Sequence, residues 1–129
     1  MRFGEFIKSK RQADERELTL KDVANALNIS LSMLSDIEQG RRKPFDSEKI
    51  KVFCNYLNLT ERERELMYDL AARETRKIPD DIEDIMMYSS SGEKARRALR
   101  LTNVGIADES DWEDFIRSLE KKRVERNNG

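Results

Sequence analysis

Residues 19–44 read TLKDVANALNISLSMLSDIEQGRRKP, and this stretch predicts two short helices joined by a tight turn. Thr19 and Ser30 are favourable helix N-caps, and each precedes a short run of apolar residues at helical spacing. The apolar positions are Leu20, Val23, Ala24 and Leu27 in the first run and Leu34 and Ile37 in the second. Asn28 and Gly40, which tolerate left-handed backbone, end the runs. A bundle hairpin also uses so short a connection, but two helices this short are better suited to crossing at an angle.

Helical patterns continue on both sides of this stretch. One helix is expected before this stretch, over about residues 2–16. Two are expected directly after it, one capped by Asp46 or Ser47 and one that begins with a capping box at Thr60. Three more are expected over about residues 80–88, 93–101 and 110–123, the last with a capping box at Ser110. No segment alternates with a period of two. The predicted fold class is therefore all-α, with a five-helix domain over residues 1–76 and a C-terminal helical extension over residues 77–129.

Composition excludes several classes of protein. The 129 residues include 40% charged side chains and only 5 glycines and 2 prolines, a balance typical of a soluble helical protein. Cys54 is the single cysteine and there is no histidine, so neither a disulfide framework nor a zinc site is expected. The opening residues are too charged for a signal peptide, and no apolar run reaches membrane-spanning length. We therefore expect a cytoplasmic protein without a membrane segment.

The net charge of −1 is divided unevenly along the chain. Residues 1–60 hold 11 Lys and Arg against 9 Asp and Glu, whereas residues 61–129 hold 14 against 17. The only dense basic cluster of the first half is Arg41-Arg42-Lys43. Any polyanionic partner must therefore be met by this local cluster.

Residues 19–44 resemble the Cro/repressor-type (XRE) helix-turn-helix family. The matching positions are Val23-Ala24, Leu27, Ile29-Ser30, Leu34-Ser35, Ile37-Glu38, Gly40 and Pro44. The similarity covers about the first 60 residues. Beyond them, three motifs resemble a subgroup of these regulators that carries a helical tail: Leu70-Ala71, Pro79-Asp80-Asp81-Ile82 and Asp111–Ile116. The resemblance implies a repressor-like domain that binds double-stranded DNA. The second helix of the motif, residues 30–39, would be the recognition helix that lies in the major groove.

The resemblance also implies which side chains read the bases. Leu31, Ser32 and Asp36 match the family's base-contacting positions. Leu31 could pack on a thymine methyl group, Ser32 could donate or accept a hydrogen bond, and Asp36 could accept from a cytosine amino group. The alternative is that they are ordinary solvent-exposed helix residues.

Phosphate contacts are expected just after this helix. Arg41, Arg42 and Lys43 leave it where the DNA backbone should pass, and Gln39 could add a neutral hydrogen bond. The alternative is an ordinary solvated charge run. Leu20 departs from the family, which commonly has a phosphate-binding glutamine at that position, so only backbone N–H groups remain there.

One ion pair is expected to orient the recognition helix. In the family, an arginine of the first helix pairs with a glutamate, and the matching residues here are Arg11 and Glu38. The segment before Thr19 is longer than in compact relatives by about two residues, with Glu17 where glycine is usual. Lys10 is therefore an alternative partner for Glu38.

No catalytic residue, metal site or cofactor is expected. Cys54 lies on an apolar helical stripe, so we interpret it as a small buried hydrophobe rather than a nucleophile. The acidic residues after Pro79 are explained by the dipole of the helix that they begin.

The tail carries an apolar stripe that needs a partner. Its residues are Trp112, Phe115, Ile116 and Leu119, with a shorter stripe at Ile82, Ile85 and Met86. They pack either within the chain or on a second copy, and we favour a homodimer because a symmetric pair doubles the DNA site. The main alternative is an antitoxin whose tail binds a toxin protein. A nucleic-acid-processing enzyme that uses this domain for targeting is a second alternative, but the absence of histidine and of catalytic pairs argues against it, and we expect no enzymatic activity.

Overall fold

The computed structural model describes residues 1–128, which form eight α-helices and no β-strand. The helices are α1 (Phe3–Ala13), α2 (Leu20–Leu27), α3 (Leu31–Glu38), α4 (Ser47–Tyr56), α5 (Glu61–Thr75), α6 (Asp80–Tyr88), α7 (Gly92–Asn103) and α8 (Glu109–Asn128). The all-α prediction is confirmed. Within residues 1–128, no helix combines the length and the apolar character needed to cross a lipid bilayer.

Side-chain caps explain where several helices begin. The Thr19 hydroxyl accepts from the backbone N–H of Asp22 at 3.1 Å, and the Asp22 carboxylate accepts from the N–H of Thr19 at 2.9 Å. Thr60 and Glu63 form the same reciprocal pair at the start of α5. These bonds satisfy N–H groups that have no partner within a helix. The starts of α2 and α5 therefore agree with the sequence prediction.

Several helix boundaries differ from the prediction, and among them α7 ends at Asn103 rather than near residue 101 and α8 at Asn128 rather than near residue 123. Helix α8 is capped by Asp108 and Asp111, each of which accepts from the other's backbone N–H at 3.0 Å, so the capping box expected at Ser110 is wrong. Helix α1 ends at Ala13 rather than near residue 16. Asp14 is extended there and its carboxylate accepts from the Arg16 side chain at 2.9 Å, so the chain leaves the helix early.

The hydrophobic core is built from the first five helices and the loops between them. Phe3 and Ile7 of α1, Leu34 of α3 and Met67 of α5 have no solvent exposure. Phe45, in the loop before α4, packs edge-on against Phe3 with ring centroids 5.0 Å apart. Edge-to-face aromatic pairs add to the stabilisation from burial, so this contact helps to fix the loop after α3.

Cys54 lies inside this core, as predicted. The residue is 1% exposed, and its thiol contacts the Met67 sulfur at 3.6 Å. Burial raises the pKa of the Cys54 thiol. Because the thiolate is the reactive form, the thiol is held in its inert state.

The chain forms two compact units, and each has its own character. The first spans Met1–Glu83 and contains the core, whereas the second begins at Asp84. In the second unit, Gly92 is the only buried residue among those described up to residue 128. The functional division expected between residues 76 and 77 stays a prediction.

Candidate nucleic-acid interface

Helix α3 presents one buried face and one open face. Ser30 caps it by accepting from the backbone N–H of Met33 at 3.1 Å. Leu34 and Ile37 are buried in the core, whereas Leu31 is 50% exposed. Leu31 therefore places an apolar side chain in the first turn of the open face. Met33, by contrast, is half-buried and packs against the core.

Ser32 lies beside the cap and is exposed. Its hydroxyl oxygen is 3.4 Å from that of Ser30, and either group could be the donor. Because a hydroxyl has one donor and two acceptor sites, Ser32 retains hydrogen-bonding capacity toward solvent or a ligand. Leu31 and Ser32 therefore offer one apolar and one polar group side by side at the start of α3.

The structure brings together one residue expected to read bases and one expected to bind phosphate. The Arg41 guanidinium donates to Asp36 Oδ1 through Nε at 3.2 Å and through Nη2 at 3.1 Å. Both side chains are accessible, with exposed fractions of 64% for Arg41 and 41% for Asp36. The pair leaves the second carboxylate oxygen of Asp36 and the Nη1 edge of Arg41 without a partner in residues 1–128.

The turn after α3 positions the basic cluster. Gly40 has a φ of +80°, a left-handed conformation that favours glycine and redirects the chain at the end of the helix. Gln39, Arg42 and Lys43 are all exposed. In the described part of the chain, Arg42 and Lys43 have no carboxylate within ion-pair distance, so their charges remain available to an anion.

Arg2 is a cation near this turn that the sequence analysis missed. A Cβ on Gly40 would lie 2.9 Å from Arg2 Nη1, so the guanidinium rests against the glycine backbone. Arg2 Nε also donates to Glu74 of α5 at 3.0 Å. No sequence pattern links these positions, because the contact depends on how α1 and α5 pack.

An ion pair fixes the buried side of α3. Arg11 donates to both carboxylate oxygens of Glu38, from Nε and Nη2, each at 2.9 Å. Arg11 Nη1 also donates to the Leu18 carbonyl at 3.2 Å, which ties in the loop before α2. The Arg11 side chain is 12% exposed and that of Glu38 is 3% exposed. The structure therefore joins the two residues expected to pair, and the hydrogen bonds to Glu38 raise the pKa of Arg11.

Lys10, the alternative partner for Glu38, binds elsewhere. Its ammonium group forms an ion pair with Glu63 of α5, and this contact lowers the pKa of Glu63 to about 2. Glu17 adopts a left-handed φ of +56°, which accounts for the preference for glycine there.

Gly4 sets the distance between α1 and α3. A Cβ at this position would come within 2.7 Å of the Glu38 carbonyl oxygen and still closer to that of Ile37. The absence of a side chain thus lets α1 cross directly over the end of α3. Nothing in the sequence singles out Gly4, because the role of a glycine inside a helix depends on the neighbour that packs against it.

Leu20, which departs from the resembled family, is half-buried and packs against the core. It has no polar group with which to bind a phosphate. Thr19, which caps α2, lies next to it and is exposed. At this end of α2 the donors are backbone N–H groups, the exposed Thr19 hydroxyl and the exposed Lys21 ammonium rather than a side chain at position 20.

The apolar residues expected to bind a partner lie on α8 and are incompletely covered. Trp112 is half-buried, and its indole N–H donates to Thr102 of α7 at 2.7 Å. Phe115 packs edge-on against Trp112 yet remains 55% exposed. Ile116 and Leu119 are 50% and 47% exposed. Within residues 1–128, no group of three or more potential metal-ligating side chains is present.

Comparison with protein families matches residues 2–67, just over half of the chain, to the helix-turn-helix domain. No curated protein and no solved structure matches the chain. The matched range contains the Arg11–Glu38 pair, the exposed face of α3 and the basic turn. A domain of this kind indicates a DNA-binding regulator. The chain therefore belongs to the helix-turn-helix domain family.

Proposed function

We propose that this chain is a sequence-specific repressor of the Cro/XRE type, which binds double-stranded DNA with α3 in the major groove. The observation that carries the proposal is the two-sided character of α3. Its inner face is fixed by Leu34, Ile37 and the Arg11–Glu38 pair, whereas its outer face is open beside unpaired cations. A rigid helix with an exposed N-terminal turn suits base-edge contacts in the major groove.

The proposed base contacts are Leu31, Ser32 and Asp36. Leu31 suits a thymine methyl group, and Ser32 can donate to or accept from a base edge. Asp36 has one oxygen held by Arg41, so the other oxygen is the acceptor offered to a cytosine amino group. The ion pair would thus hold the carboxylate in place.

The proposed phosphate contacts are Gln39, Arg41, Arg42 and Lys43. Phosphate contacts supply the sequence-independent part of DNA affinity, and each neutralised phosphate contributes to its salt dependence. A cluster of three adjacent cations can supply this term locally even though the chain as a whole carries a net charge of −1. The proposed activity requires no catalytic residue and no cofactor, and we expect it in the cytoplasm.

Lys43→Ala and Arg41→Ala are each expected to weaken binding to specific and random duplexes alike. The slope of log affinity against log salt should fall by about one unit for each phosphate that is no longer neutralised. Arg41→Ala should have the larger effect on affinity, because it also leaves Asp36 uncompensated near the phosphates. Fluorescence anisotropy with a labelled duplex measures both quantities across a salt series.

Lys121→Ala is the matched control, since it removes an exposed cation of α8 and should leave the salt slope unchanged. Unchanged slopes for both Arg41→Ala and Lys43→Ala would remove the basic turn from the interface.

We propose that residues 1–76 read DNA and that residues 77–129 join two copies into a homodimer. A single short helix contacts few base pairs, and a two-fold dimer doubles the site while placing the half-sites one helical turn apart. The support lies in α8, where Phe115, Ile116 and Leu119 are about half exposed.

Light scattering of the full chain during serial dilution is expected to report a mass that falls from dimer to monomer. Trp112 is the only tryptophan and contacts Phe115, so its emission should shift over the same concentrations. A mass that stays monomeric at every concentration would contradict the homodimer and would leave the tail for a different protein, such as a toxin.

A further inference from the structure

Helix α8 presents four of its five apolar residues in one stripe, and Val124 lies off it. Phe115, Ile116 and Leu119 follow Trp112 at helical spacings of three and four residues, and each is about half exposed. The 20 residues of α8 make a rod about 30 Å long. The stripe occupies residues 112–119, about 12 Å of this length, and exposes apolar surface to which a partner can bind.

Charge divides α8 into two halves of opposite sign. Residues 109–118 hold four acidic side chains and one basic side chain, whereas residues 119–128 hold four basic and two acidic side chains. The helix dipole favours this order only in the first and last turns. Glu113 and Asp114 near the start, and Lys121 to Arg123 near the end, lie beyond those turns. The division of charge along α8 therefore extends further than interaction with the helix dipole explains.

We propose that α8 pairs with α8 of a second copy in the antiparallel direction. The pairing rests on the proposed homodimer and specifies its contact. An antiparallel pair sets the acidic half of each helix beside the basic half of the other, whereas a parallel pair sets like charges together along the whole length. Electrostatic complementarity of this kind selects orientation and partner.

The apolar stripe sets the register of the two helices. The two Ile116 side chains meet at the two-fold axis, and Phe115 and Leu119 of each copy pack within one helical turn of it. Residues whose numbers are symmetric about 116 then face each other, which brings Glu109 opposite Arg123 at both ends. The dimer thus contains two such ion pairs, one at each end of the helix pair, in addition to the central apolar contacts.

Two single charge reversals test the pairing in the full chain. Glu109→Lys places two cations opposite each other at both ends, and Arg123→Glu places two carboxylates there. Each is expected to raise the dimer dissociation constant by about tenfold, since two symmetric surface pairs change from attraction to repulsion. Sedimentation velocity without DNA measures the constant for each variant.

Two combinations of the charge reversals distinguish the loss of ion pairs between the two helices from effects within one chain. Arg123 also has contacts within its own chain, so the single variant alone would be ambiguous. The double variant E109K/R123E, and an equimolar mixture of the two single variants, should both return to within about twofold of the original constant, because every facing pair is again of opposite sign. Lys121→Glu, a similar charge change on the other side of α8, should have little effect.

Failure of either restoring combination, or single reversals no more disruptive than Lys121→Glu, would overturn the antiparallel pairing. Fluorescence anisotropy with a random-sequence duplex on the same samples measures DNA binding separately from dimerisation. Loss of DNA binding in the unmodified chain would contradict the proposed function alone, since the sedimentation result does not depend on DNA.

Discussion

Arg11→Ala is expected to destabilise the fold by about 3–5 kcal/mol, because it leaves a buried carboxylate without its cation. Glu38 loses two hydrogen bonds of 2.9 Å, and its side chain is only 3% exposed, so water cannot replace them. The same change releases the Leu18 carbonyl that Arg11 binds. Urea denaturation followed by far-ultraviolet circular dichroism gives the free energy of unfolding.

Lys10→Ala is the matched control on the neighbouring residue. It removes an ion pair with Glu63 that is partly open to solvent, and we expect a loss under about 1 kcal/mol. In a double-mutant cycle, Arg11→Ala and Glu38→Ala together should cost clearly less than the sum of the single losses. Additive losses would show that the two side chains do not stabilise each other.

Gly4→Ala is the second substitution with a large expected effect. The new methyl group would lie 2.7 Å from the Glu38 carbonyl oxygen, and closer to that of Ile37, so α1 and α3 must move apart. Overpacking costs roughly 1–3 kcal/mol, and we expect the upper end because both obstacles are backbone atoms. The loss should appear even though alanine is favoured over glycine in a helix by about 1 kcal/mol.

Thermal and urea denaturation of Gly4→Ala measure this effect, with Gln12→Ala as the control. Gln12 is exposed on the same helix, so its replacement should change stability by less than about 0.5 kcal/mol. DNA affinity should fall with Gly4→Ala, because α3 is displaced. Stability equal to the unmodified chain would mean that α1 and α3 do not cross this closely.

Local chemistry explains why much of the fold could be predicted from sequence. Thr19 and Thr60 begin helices through bonds to residues three positions away, so the cap is visible in the sequence. The start of α8 was misplaced because Asp108 and Ser110 both precede a carboxylate at that spacing. The structure chooses the Asp108–Asp111 pair.

Contacts that depend on tertiary packing were harder to predict. Arg11 and Glu38 were expected to pair only through resemblance to a family, since 27 positions separate them. The contact between Asp36 and Arg41 requires the left-handed turn at Gly40, and the role of Gly4 requires the path of α3. No periodic pattern in the sequence predicts these contacts, because they depend on how the helices cross.

Selection of bound sequences from random duplex DNA tests the central claim that α3 reads bases. The full chain should enrich a palindromic site with half-sites one helical turn apart. Ser32→Ala and Asp36→Asn should each change the preference at one base pair per half-site by roughly 1–3 kcal/mol, while general affinity changes less. No enrichment, or identical sites from the unmodified chain and both variants, would contradict recognition by this helix.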